Sequence, residues 1–586
     1  MAFALDIERS LTGQSWRWRG GAPAGTRGSI LQDLLRARGV APEDLVREES
    51  PTIRAFMPDP ALFQDMERAA DRLAASVMAR EAVTIFGDYD VDGATSAALL
   101  ILLLRDLGLE AGAYIPDRLM EGYGPSGDAL VALTRQGSSL VVTVDCGAQA
   151  FAALEAARDA GLDVIVVDHH QCATALPPAF ALVNPNRLDE CAEGSAHGHL
   201  AAVGVAFLLG VALVRTLRAR GWFGSGSGAR PEPDLMALLD IVALGTVADV
   251  APIRGLNRAF VAQGLKAMAR QRNIGLVALL GASRIERAPL CHDLGFALGP
   301  RINAGGRVGK SDLGVRLLTT RDPAEAQAIA RELDRLNEER RAIEAAVQEQ
   351  ALTQLSTIGD RAVAVLSGEG WHPGVIGIVA GRIKEKTGVP SIVIALDENG
   401  VGKGSGRSIG GVDLGAAVLA AKESGLLVAG GGHAMAAGLT IDRANVSAFT
   451  DFLEERLARD VERARAERAL HVDILAAPGG LTPALIAELE TAGPYGNGWP
   501  APRVVLGPAR IVKIDIVGTD HVRMIVSGDD GRSLKVMGFR QGETPLGQAL
   551  LGAQPGTRWW FAGRAKLDDW GAKPAAELHL DDAAPA

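Results

Sequence analysis

The sequence predicts an α/β protein built from a parallel sheet covered by helices, a long connecting helix, a second α/β unit and a C-terminal β-barrel. Three β-rich runs, at residues 82–86, 140–144 and 164–167, are separated by helical patterns, as in doubly wound folds. Each run ends directly in acidic residues or histidine, within the segments GDYDVDG, DCG and DHH. Because ligands bind beyond the carboxyl ends of the strands in open parallel sheets, we expect these side chains to share one site.

The later elements are predicted from composition and from the period of the apolar residues. A charged, Ala-, Glu- and Leu-rich stretch at residues 323–355 has no Gly or Pro after its first residue, which predicts a long connecting helix. A second α/β unit begins at the strand-like run 362–366 and holds Gly-rich segments that we expect to be loops, at 370–377, 402–411 and 430–438. Short alternating runs predict a small barrel, at 504–506, 510–516, 522–526, 533–539 and 558–562.

Length and composition limit the class of protein. At 586 residues the chain should divide into several domains. Its four cysteines are too few for a disulfide framework, and its first residues lack the pattern of a signal peptide, so we expect a cytoplasmic protein. The longest uncharged apolar run, residues 200–214, is shorter than a bilayer span, which predicts a buried core helix and no membrane association.

The charge distribution leaves nucleic-acid binding open. The net charge of −10 argues weakly against a protein coated by nucleic acid, but affinity for phosphate depends on local charge, and residues 501–570 carry a local net charge of +3. Charge with aromatic side chains is typical of single-strand binding on an OB-fold, although each aromatic can equally be a core residue of its strand. The candidates are Arg523, Lys535, Phe539, Arg540, Trp559 and Trp560.

Acidic residues and histidines cluster at the predicted strand ends. Asp88, Asp90 and Asp92 occupy alternate positions, and three carboxylates this close would repel one another in a desolvated site without cations. Hard carboxylates with one or two histidines suit Mn²⁺ or Mg²⁺ better than Zn²⁺. Two such ions about 3.5–4 Å apart would clamp a phosphoryl group and generate hydroxide for in-line attack. The other candidates at strand and loop ends are Asp145, Asp168, His169, His170 and Asp249.

The segments DYDVDG, VDCG and VDHH, followed by GTVADV, resemble motifs one to four of the DHH phosphoesterase superfamily. The resemblance implies a DHH-type catalytic domain on the parallel sheet. It implies that Asp168 and His170 orient the metal ligands or contact phosphate. Asp92 stands outside the implied ligand set, because only two of the three alternate aspartates match ligands across the superfamily. The metal ligands that the resemblance implies are Asp88, Asp90, Asp145, His169 and Asp249.

Further segments narrow the resemblance to the RecJ-type exonucleases of that superfamily. They are GPRINAGGR (299–307), GWHPGVIGIVAGR (370–382), GKGSGRS (402–408) and GGHAMAAG (431–438), the last three in a stretch similar to the DHH-associated domain. The resemblance implies a 5′→3′ exonuclease that hydrolyses single-stranded DNA to 5′-mononucleotides in DNA recombination and repair. Arginines on Gly-rich loops can approach phosphate closely. The residues expected to bind the substrate are Arg118, Arg301, Asn303, Arg307, Ser405, Arg407 and His433.

The resemblance covers the chain from about residue 50 to its end and implies a division into five parts. These are an N-terminal extension (1–50), a DHH catalytic domain (51–320), a connecting helix (321–357), a DHH-associated domain (358–465) and an OB-fold-like nucleic-acid-binding domain (466–586). It implies a monomer that acts on single-stranded DNA with a 5′ end, uses two Mn²⁺ or Mg²⁺ ions, and has single-strand-binding protein and a helicase as candidate partners. The segment PYGNGWPAP (494–502) departs from the family's PxGxGNP pattern at Trp499, which leaves the exact boundary of the barrel open.

Four other interpretations each fit part of the sequence. AGGRVGKS (304–311) satisfies a relaxed P-loop pattern and would indicate an ATPase, but no strand is predicted before it. A zinc site could be drawn from Cys172, Cys191, His197 and His199, although their spacing lacks a paired CxxC. The same fold would suit a non-catalytic scaffold, or a phosphodiesterase of short RNA or cyclic dinucleotides. Carboxylates at every expected strand end favour an enzyme, and the length and the predicted barrel favour polymeric DNA.

Overall fold

The computed structural model describes residues 3–25, 29–117, 121–224, 230–568 and 574–586, and these form two compact units. The first unit comprises Met1–Asn303, Ser311–Arg331 and Ala469–Ala586, and the second comprises Ala304–Lys310 and Glu332–Arg468. The first unit therefore holds both the predicted parallel sheet and the predicted barrel. The boundaries of the five-part division stay a prediction.

A parallel sheet forms the centre of the first unit, as predicted. Of the residues described, its five strands lie in the order Gly112–Tyr114, Val83–Gly87, Leu140–Val144, Asp163–Val167 and Ala181–Val183. Val83–Gly87 and Leu140–Val144 are buried along their whole length, which is typical of a parallel sheet covered on both faces. The chain passes from Val83–Gly87 to one side of the sheet and then returns to the other side. This reversal opens a crevice at the carboxyl end of Val83–Gly87, where ligands bind in such folds.

Helices pack around this sheet, and further helices follow its last strand in the sequence. The helix Ala202–Ala219, with a mean hydropathy of 1.8, is long and apolar enough to cross a membrane by length and composition, but most of it is buried inside the first unit. It is therefore the core helix that the apolar run 200–214 predicts. The α-helices before residue 320 are Ile30–Ala37, Leu45–Glu49, Ile53–Phe56, Met66–Ala79, Val91–Asp106, Gly127–Arg135, Phe151–Asp159, Ala192–Ser195, Ala202–Ala219, Leu239–Ala248, Gly255–Met268, Ile274–Ala282, Cys291–Asp293, Gly299–Val308 and Leu313–Thr319.

The predicted long connecting helix spans Pro323–Ile358, 36 residues. The P-loop-like segment 304–311 lies in the helix Gly299–Val308 and the turn after it. A P-loop needs a strand directly before the glycines, so this context argues against a nucleotide site there.

The second unit contains a mixed sheet of five strands among its described residues. They lie in the order Ala429–His433, Ala436–Asp442, Val401–Arg407, Ser391–Leu396 and Ala364–Glu369. Only the last pair is parallel; the other neighbours are antiparallel. Apolar side chains of the helices Ile376–Thr387, Leu414–Glu423 and Val446–Ala466 complete its core.

The expectation that the Gly-rich segments of this unit are loops was wrong for two of them. Residues 402–407 lie in the strand Val401–Arg407, and residues 430–438 form most of a hairpin. The alternate glycines face the core: a Cβ on Gly404 would lie 2.6 Å from Leu439, and one on Gly406 would lie 2.7 Å from Leu414. Glycine here permits close packing of a strand against its neighbours, a use that composition does not distinguish from a turn.

The C-terminal part of the first unit is a closed barrel, as predicted. Among its described residues, the strand Val504–Val517 pairs both with His521–Ser527 and with Arg558–Asp568, which joins the two ends of the sheet. The strands Ser533–Gly538 and Ala575–Pro585 complete the closed set. Ile474–Ala476 extends the sheet, and the N-terminal strand Ser15–Trp18 pairs with Ala469–Val472. The helices of this region are Pro483–Thr491 and Pro545–Leu551.

Most of the barrel side chains expected to hold nucleic acid are engaged within the protein. Trp559 is 7% exposed and belongs to the barrel core, and Trp560 packs against the cluster that contains Trp16 and Trp18. Arg523 pairs with Asp515, and Lys535 pairs with Asp568 and Glu577. The two-residue alternation of strands directs Trp559 inward, whereas Arg523 and Lys535 are on the outward face and are engaged there by ion pairs.

Phe539 is the exception among the aromatics of the barrel. It is 46% exposed and lies in edge-on contact with the rings of His521 and His579, at centroid separations of 5.4 and 4.8 Å. Arg540, the next residue, is also exposed. Among the six candidate side chains of the barrel, Phe539 and Arg540 are thus the two that are exposed.

Candidate metal centre

Asp88 and Asp90 follow the strand Val83–Gly87 and lie at the crevice at its carboxyl end. Asp90 caps the helix Val91–Asp106: its Oδ1 accepts hydrogen bonds from the amides of Asp92 (2.8 Å) and Gly93 (3.1 Å). Asp88 is 3% exposed. A Cβ on Gly93 would lie 2.4 Å from the Asp88 carbonyl oxygen, so only glycine allows the helix to begin this close to the strand end.

Asp92 is buried and holds a different helix. Its Oδ2 accepts from the Ala202 amide (2.7 Å) and its Oδ1 from the Val203 amide (2.9 Å), in the first turn of the helix Ala202–Ala219. Burial raises the pKa of Asp92, and the charge of Asp90 raises it further. Because both oxygens accept from backbone amides, Asp92 holds the start of the helix Ala202–Ala219. Its carboxylate also lies within reach of His169 and Asp249, so its place outside the expected ligand set stays a prediction.

Asp145 follows the strand Leu140–Val144 and lies at the middle of the acidic cluster. Its φ is 61°, a left-handed conformation that costs a non-glycine residue about 1 kcal/mol or more. Its amide donates to the carbonyl of Val167 in the neighbouring strand (3.0 Å), which holds this conformation. Burial raises the pKa of Asp145 well above its usual range, and Asp90 and Asp92 raise it further.

Asp168 organises the residues that follow the next strand. Its Oδ1 accepts from the amides of His169 (2.7 Å) and His170 (3.1 Å) and lies 2.7 Å from Nδ1 of His170; its Oδ2 accepts from the Ala148 amide (2.9 Å). Burial opposes the charge, but the hydrogen bond and charge of His170 lower the pKa of Asp168 to about 2. Asp168 is therefore ionised and fully engaged, and it holds His170 in place.

His169 presents one ring nitrogen to the carboxylates. Its Nδ1 lies 3.1 Å from the carbonyl oxygen of Leu200, and its Nε2 lies 3.2 Å from Oδ1 of Asp145. Burial lowers the pKa of His169, and the neighbouring His170 lowers it further. A neutral imidazole that donates from Nδ1 has its lone pair on Nε2, which is the form that binds a metal.

Asp249 completes the cluster from the end of the helix Leu239–Ala248. Its Oδ2 lies 3.9 Å from Nδ1 of His169, and a quarter of its side chain is exposed. Burial raises the pKa of Asp249, and the charges of Asp92 and Asp90 raise it further.

These residues fit a divalent cation. Among the described residues, potential ligand atoms form three groups, and within each group all the atoms lie within 4.8 Å of one another. The groups are Asp88, Asp90 and Asp145; Asp92, His169 and Asp249; and Asp145, His169 and His170. Buried carboxylates that raise one another's pKa lack a neutralising positive charge, and a divalent cation supplies it. The donors are oxygen with one or two imidazoles, the set that suits Mn²⁺ or Mg²⁺. The four residues considered for zinc form no such group within the described part of the chain.

Three residues of this site were missed by the sequence analysis. The Tyr123 hydroxyl donates to the Asp145 carbonyl oxygen (3.0 Å) and lies 3.3 Å from Nδ1 of His170. Asn184 and Asn186 donate from their side-chain amides to the carbonyls of His170 (2.8 Å) and His169 (2.6 Å). In the sequence, the two asparagines could have been found from the segment NPN (184–186), which directly follows the strand Ala181–Val183 at the same edge of the sheet as the DHH segment.

A cavity of about 650 Å³ adjoins the cluster in the first unit. His169 and Asp249 form part of its wall, so the cavity leads directly to the acidic cluster. His199 and Arg254 line it as well, and both are basic residue types. Burial lowers the pKa of His199 to about 4, so Arg254 carries the positive charge there at neutral pH.

The residues expected to bind substrate are divided between the two units. Arg118 lies outside the described residues. Arg301 and Asn303 lie in the first unit on the helix Gly299–Val308 and not on a loop; Arg301 donates to the Ala297 carbonyl (2.8 Å). Arg307 belongs to the second unit and donates to the Gly374 carbonyl (2.7 Å).

Ser405 and Arg407 share one face of a strand in the second unit. Arg407 donates to the Ser405 hydroxyl (3.1 Å). A Cβ on Gly377 would lie 2.9 Å from Nη2 of Arg407 and 3.0 Å from the Ser405 hydroxyl, so the first turn of the helix Ile376–Thr387 packs against both. Ala436 pairs with Arg407 on one side and with His433 on the other, which places His433 two strands from Arg407. A guanidinium, a hydroxyl and a helix N-terminus together form a surface suited to an anion.

Comparison with known proteins finds three family models along the chain. Residues 82–246 match the N-terminal domain of the DHH family, residues 360–459 match the DHHA1 domain, and residues 472–582 match the RecJ OB domain.

Curated relatives and solved structures match most of the chain. The single-stranded-DNA-specific exonuclease RecJ of Dickeya dadantii is 39% identical over 508 residues, which cover 85% of this chain and 86% of that protein. RecJ of Escherichia coli is 37% identical over 86% of this chain and 88% of its own length. The crystal structure of RecJ from Thermus thermophilus in complex with Mn²⁺ has a TM-score of 0.77 and 30% identity, over 97% of this chain and 79% of that one. A second crystal structure of that protein contains Mg²⁺, with a TM-score of 0.72, 29% identity, and coverage of 97% and 78%.

Proposed function

The chain belongs to the RecJ family of single-stranded-DNA-specific exonucleases, and on that premise we propose that it hydrolyses single-stranded DNA from a 5′ end with Mn²⁺ or Mg²⁺. The observation that carries the proposal is that five potential ligands lie together in a cluster of buried and half-buried side chains at the carboxyl edge of the parallel sheet: Asp88, Asp90, Asp145, His169 and Asp249. A non-catalytic scaffold would have no need to keep five such groups together against their mutual repulsion.

We propose two cations at this cluster. When bound, they would neutralise charge on the phosphate and provide the nucleophile at neutral pH. Asp145 and His169 each belong to two of the three ligand groups, and of these two only Asp145 has two oxygens with which it would hold both ions. The contact of His169 with Leu200 keeps its Nε2 lone pair directed at the site.

His170 would hold a proton next to the substrate phosphate. Burial alone would lower the pKa of His170, but its hydrogen bond and ion pair with Asp168 raise it above the ordinary value. With Nδ1 held by Asp168, Nε2 lies on the other side of the ring, 3.4 Å from the Tyr123 hydroxyl. The side chain of His170 is 42% exposed, so it can reach a bound phosphate. Asp168 then acts through His170 and not on the cation.

The cavity beside the cluster would receive the strand. Its volume of about 650 Å³ is within the range of ligand sites. Arg254, at the start of the helix Gly255–Met268, would contact a phosphate of the nucleotide next to the scissile bond.

The anion surface of the second unit would recognise a 5′-phosphate. We propose that Arg407 and Ser405 contact that phosphate, together with amides of the first turn of the helix Ile376–Thr387. Arg118, Arg301, Asn303, Arg307 and His433 are proposed as further substrate contacts on the strength of the family resemblance.

The wider setting is also proposed. The enzyme would be a cytoplasmic monomer that acts in DNA recombination and repair, with single-strand-binding protein and a helicase as candidate partners. The barrel would hold the strand through the surface around Phe539.

The test uses single-stranded DNA and RNA of one sequence, each labelled at the 5′ or the 3′ end, with Mn²⁺, Mg²⁺ or EDTA. We expect 5′-labelled DNA to release labelled mononucleotide from the first time point, and EDTA to stop the reaction. Release of mononucleotide from 3′-labelled DNA first would overturn the polarity. Faster hydrolysis of short RNA or of a cyclic dinucleotide would favour that alternative, and no hydrolysis with either metal would favour the scaffold.

A further inference from the structure

The peptide that follows Asp249 is strained. Val250 has a φ of 59°, in the left-handed region, and Val is among the residues that adopt this region least readily. Its side chain is 63% exposed, so packing of the side chain does not hold the backbone there. A strained conformation persists only where surrounding contacts enforce it.

The end of the helix Leu239–Ala248 sets this conformation: the Val250 amide donates to the Val247 carbonyl (3.1 Å) and the Ala251 amide to the Thr246 carbonyl (3.2 Å), the pattern of a helix C-cap. The segment that leads into the barrel then holds the far side of the turn. The Asn497 side-chain amide donates to the Val250 carbonyl at 2.6 Å, and the Asn497 carbonyl accepts from the Ile253 amide at 2.8 Å. One residue thus holds both ends of the turn from Val250 to Ile253.

The glycines on either side of Asn497 allow this approach. A Cβ on Gly496 would lie 2.7 Å from Ile253, and Gly498, with a φ of 69°, would place one 3.3 Å from Pro252. The segment 496–498 therefore lies against the backbone of the turn, and a larger residue at either glycine would push it away.

Buried contacts anchor this segment from behind. The fully buried guanidinium of Arg258 donates from Nη2 to the carbonyls of Ala492 (3.0 Å) and Gly493 (2.9 Å), and lies 4.6 Å from the ring centroid of Trp499. Trp499 is 4% exposed and donates from Nε1 to the Ala492 carbonyl (2.9 Å). The position of Asn497 is thus determined by the core of the first unit.

The side chain of a second asparagine links the same turn to the segment that orients His169. The buried side chain of Asn257 donates to the carbonyls of Pro252 (3.1 Å) and His199 (2.7 Å). His199 directly precedes Leu200, whose carbonyl orients His169. The turn after Asp249 is therefore held on one side by Asn257 and on the other by Asn497.

We propose that Asn497 is a positioning residue for Asp249, through which the segment leading into the barrel sets the affinity of the metal centre. The inference rests on the proposed function, because it takes Asp249 as a metal ligand. Without the Asn497 contacts, the strained turn after Asp249 is held by the helix-end hydrogen bonds and Asn257 alone, so the carboxylate of Asp249 is less firmly placed beside His169. Residues that orient metal ligands typically change affinity about 10–100-fold when they are lost.

The test is Mn²⁺ binding to the full-length protein, measured from the electron paramagnetic resonance signal of free Mn²⁺ during titration. Asn497→Ala removes the donor, and Asn497→Asp keeps the shape but cannot donate to the Val250 carbonyl. We expect both to weaken Mn²⁺ binding about 10-fold, to lower kcat more than they raise KM for DNA, and to leave the unfolding temperature nearly unchanged.

Two further variants separate positioning from general loss of structure. Asn445→Ala removes a similar side-chain contact to a backbone carbonyl, that of Leu426 in the second unit, and should leave Mn²⁺ binding unchanged. Val250→Gly in the Asn497→Ala protein should restore part of the affinity, because glycine adopts this φ without strain.

The inference is wrong if Mn²⁺ binding of the Asn497 variants equals that of the wild type, or if Asn445→Ala weakens it equally. Binding that stays low in the double variant would also overturn it, since relief of strain is then irrelevant. Wild-type protein that binds no Mn²⁺ would instead overturn the proposed function.

Discussion

The Nδ1 of His169 lies 3.1 Å from the carbonyl oxygen of Leu200. A carbonyl can only accept, so the neutral imidazole carries its proton on Nδ1 and its lone pair on Nε2, toward Asp145. The two residues are 31 positions apart in sequence, and Leu200 lies just before the helix that Asp92 holds by its first amides. The orientation of a proposed metal ligand thus depends on how a buried helix begins.

Asp145→Asn should abolish hydrolysis and leave binding of single-stranded DNA largely intact. Asparagine keeps the size of the side chain but removes the charge that two of the three ligand groups share. Turnover and equilibrium DNA binding, measured on the same preparation, check this. Asp159→Asn, at an exposed helix end, is the control. Retention of a tenth of wild-type turnover would contradict the role assigned to Asp145.

Asp249→Asn should stabilise the protein in EDTA at neutral pH and reduce the stabilisation that Mn²⁺ confers. The raised pKa of Asp249 means that its ionised form is disfavoured in the folded state when no cation is present, so a neutral side chain removes that penalty. Unfolding temperatures with EDTA and with Mn²⁺ are the measurement. A lower unfolding temperature in EDTA would show that Asp249 stabilises the fold instead.

Arg407→Ala should weaken the preference for a 5′-phosphorylated end more than it weakens binding to internal DNA. Loss of a charge-assisted contact to phosphate should cost roughly 1.5–3 kcal/mol. Competition between 5′-phosphorylated and 5′-hydroxyl oligonucleotides measures the effect, with the exposed Arg459→Ala as control. Equal losses on both ends would remove Arg407 from the proposed 5′-phosphate surface.

Asp240→Asn should change how stability depends on pH. Asp240 is 2% exposed, and burial raises its pKa to about 6. A carboxyl whose pKa is higher in the folded state than in the unfolded state destabilises the fold increasingly as pH rises from about 4 to about 6, and the loss is then constant. Asparagine has a cost that does not vary with pH, so the variant should gain about 2–3 kcal/mol relative to the wild type between pH 4 and pH 7.

Denaturant unfolding of both proteins at the two pH values measures this difference. Asp159→Asn, at an exposed site, should follow the wild type. If the variant and the wild type differ in the free energy of unfolding by the same amount at both pH values, Asp240 is not protonated preferentially in the folded state.

The barrel is best tested by single substitutions, because truncation before it would also remove Asn497 from the turn after Asp249. Phe539→Ala should lower affinity and processivity on long single strands and spare hydrolysis of very short oligonucleotides, since stacking is worth about 1–3 kcal/mol per base. Trp559→Ala should instead destabilise the fold by about 3–5 kcal/mol, because Trp559 lies in the barrel core.

Product lengths under single-hit conditions, at two salt concentrations, distinguish these outcomes. The salt dependence of DNA binding should be the same for Phe539→Ala and the wild type, because this substitution removes no phosphate contact. A product distribution identical to the wild type would mean that the face around Phe539 serves another purpose.

The sequence by itself determined the parallel sheet and the cluster at its edge. Asp88, Asp145 and Asp168 each follow a short β-rich run, and parallel strands bring their carboxyl ends to one edge whatever the details of packing. The long helix and the barrel strands were predictable for a different reason: composition, the absence of Gly and Pro, and the alternation of apolar residues report local structure.

Tertiary structure alone decided which neighbours act on the site. The strands at residues 402–407 and 430–438 could not be distinguished from loops, because glycine serves both turns and close packing. Trp559 could be assigned to the core only once the inward face of its strand was known. Leu200 and Asn497 reach the site through contacts between segments far apart in the chain, and no local pattern encodes such a contact. The proposed ligand residues can therefore be predicted from short motifs, whereas the residues that orient them can be identified only from long-range packing.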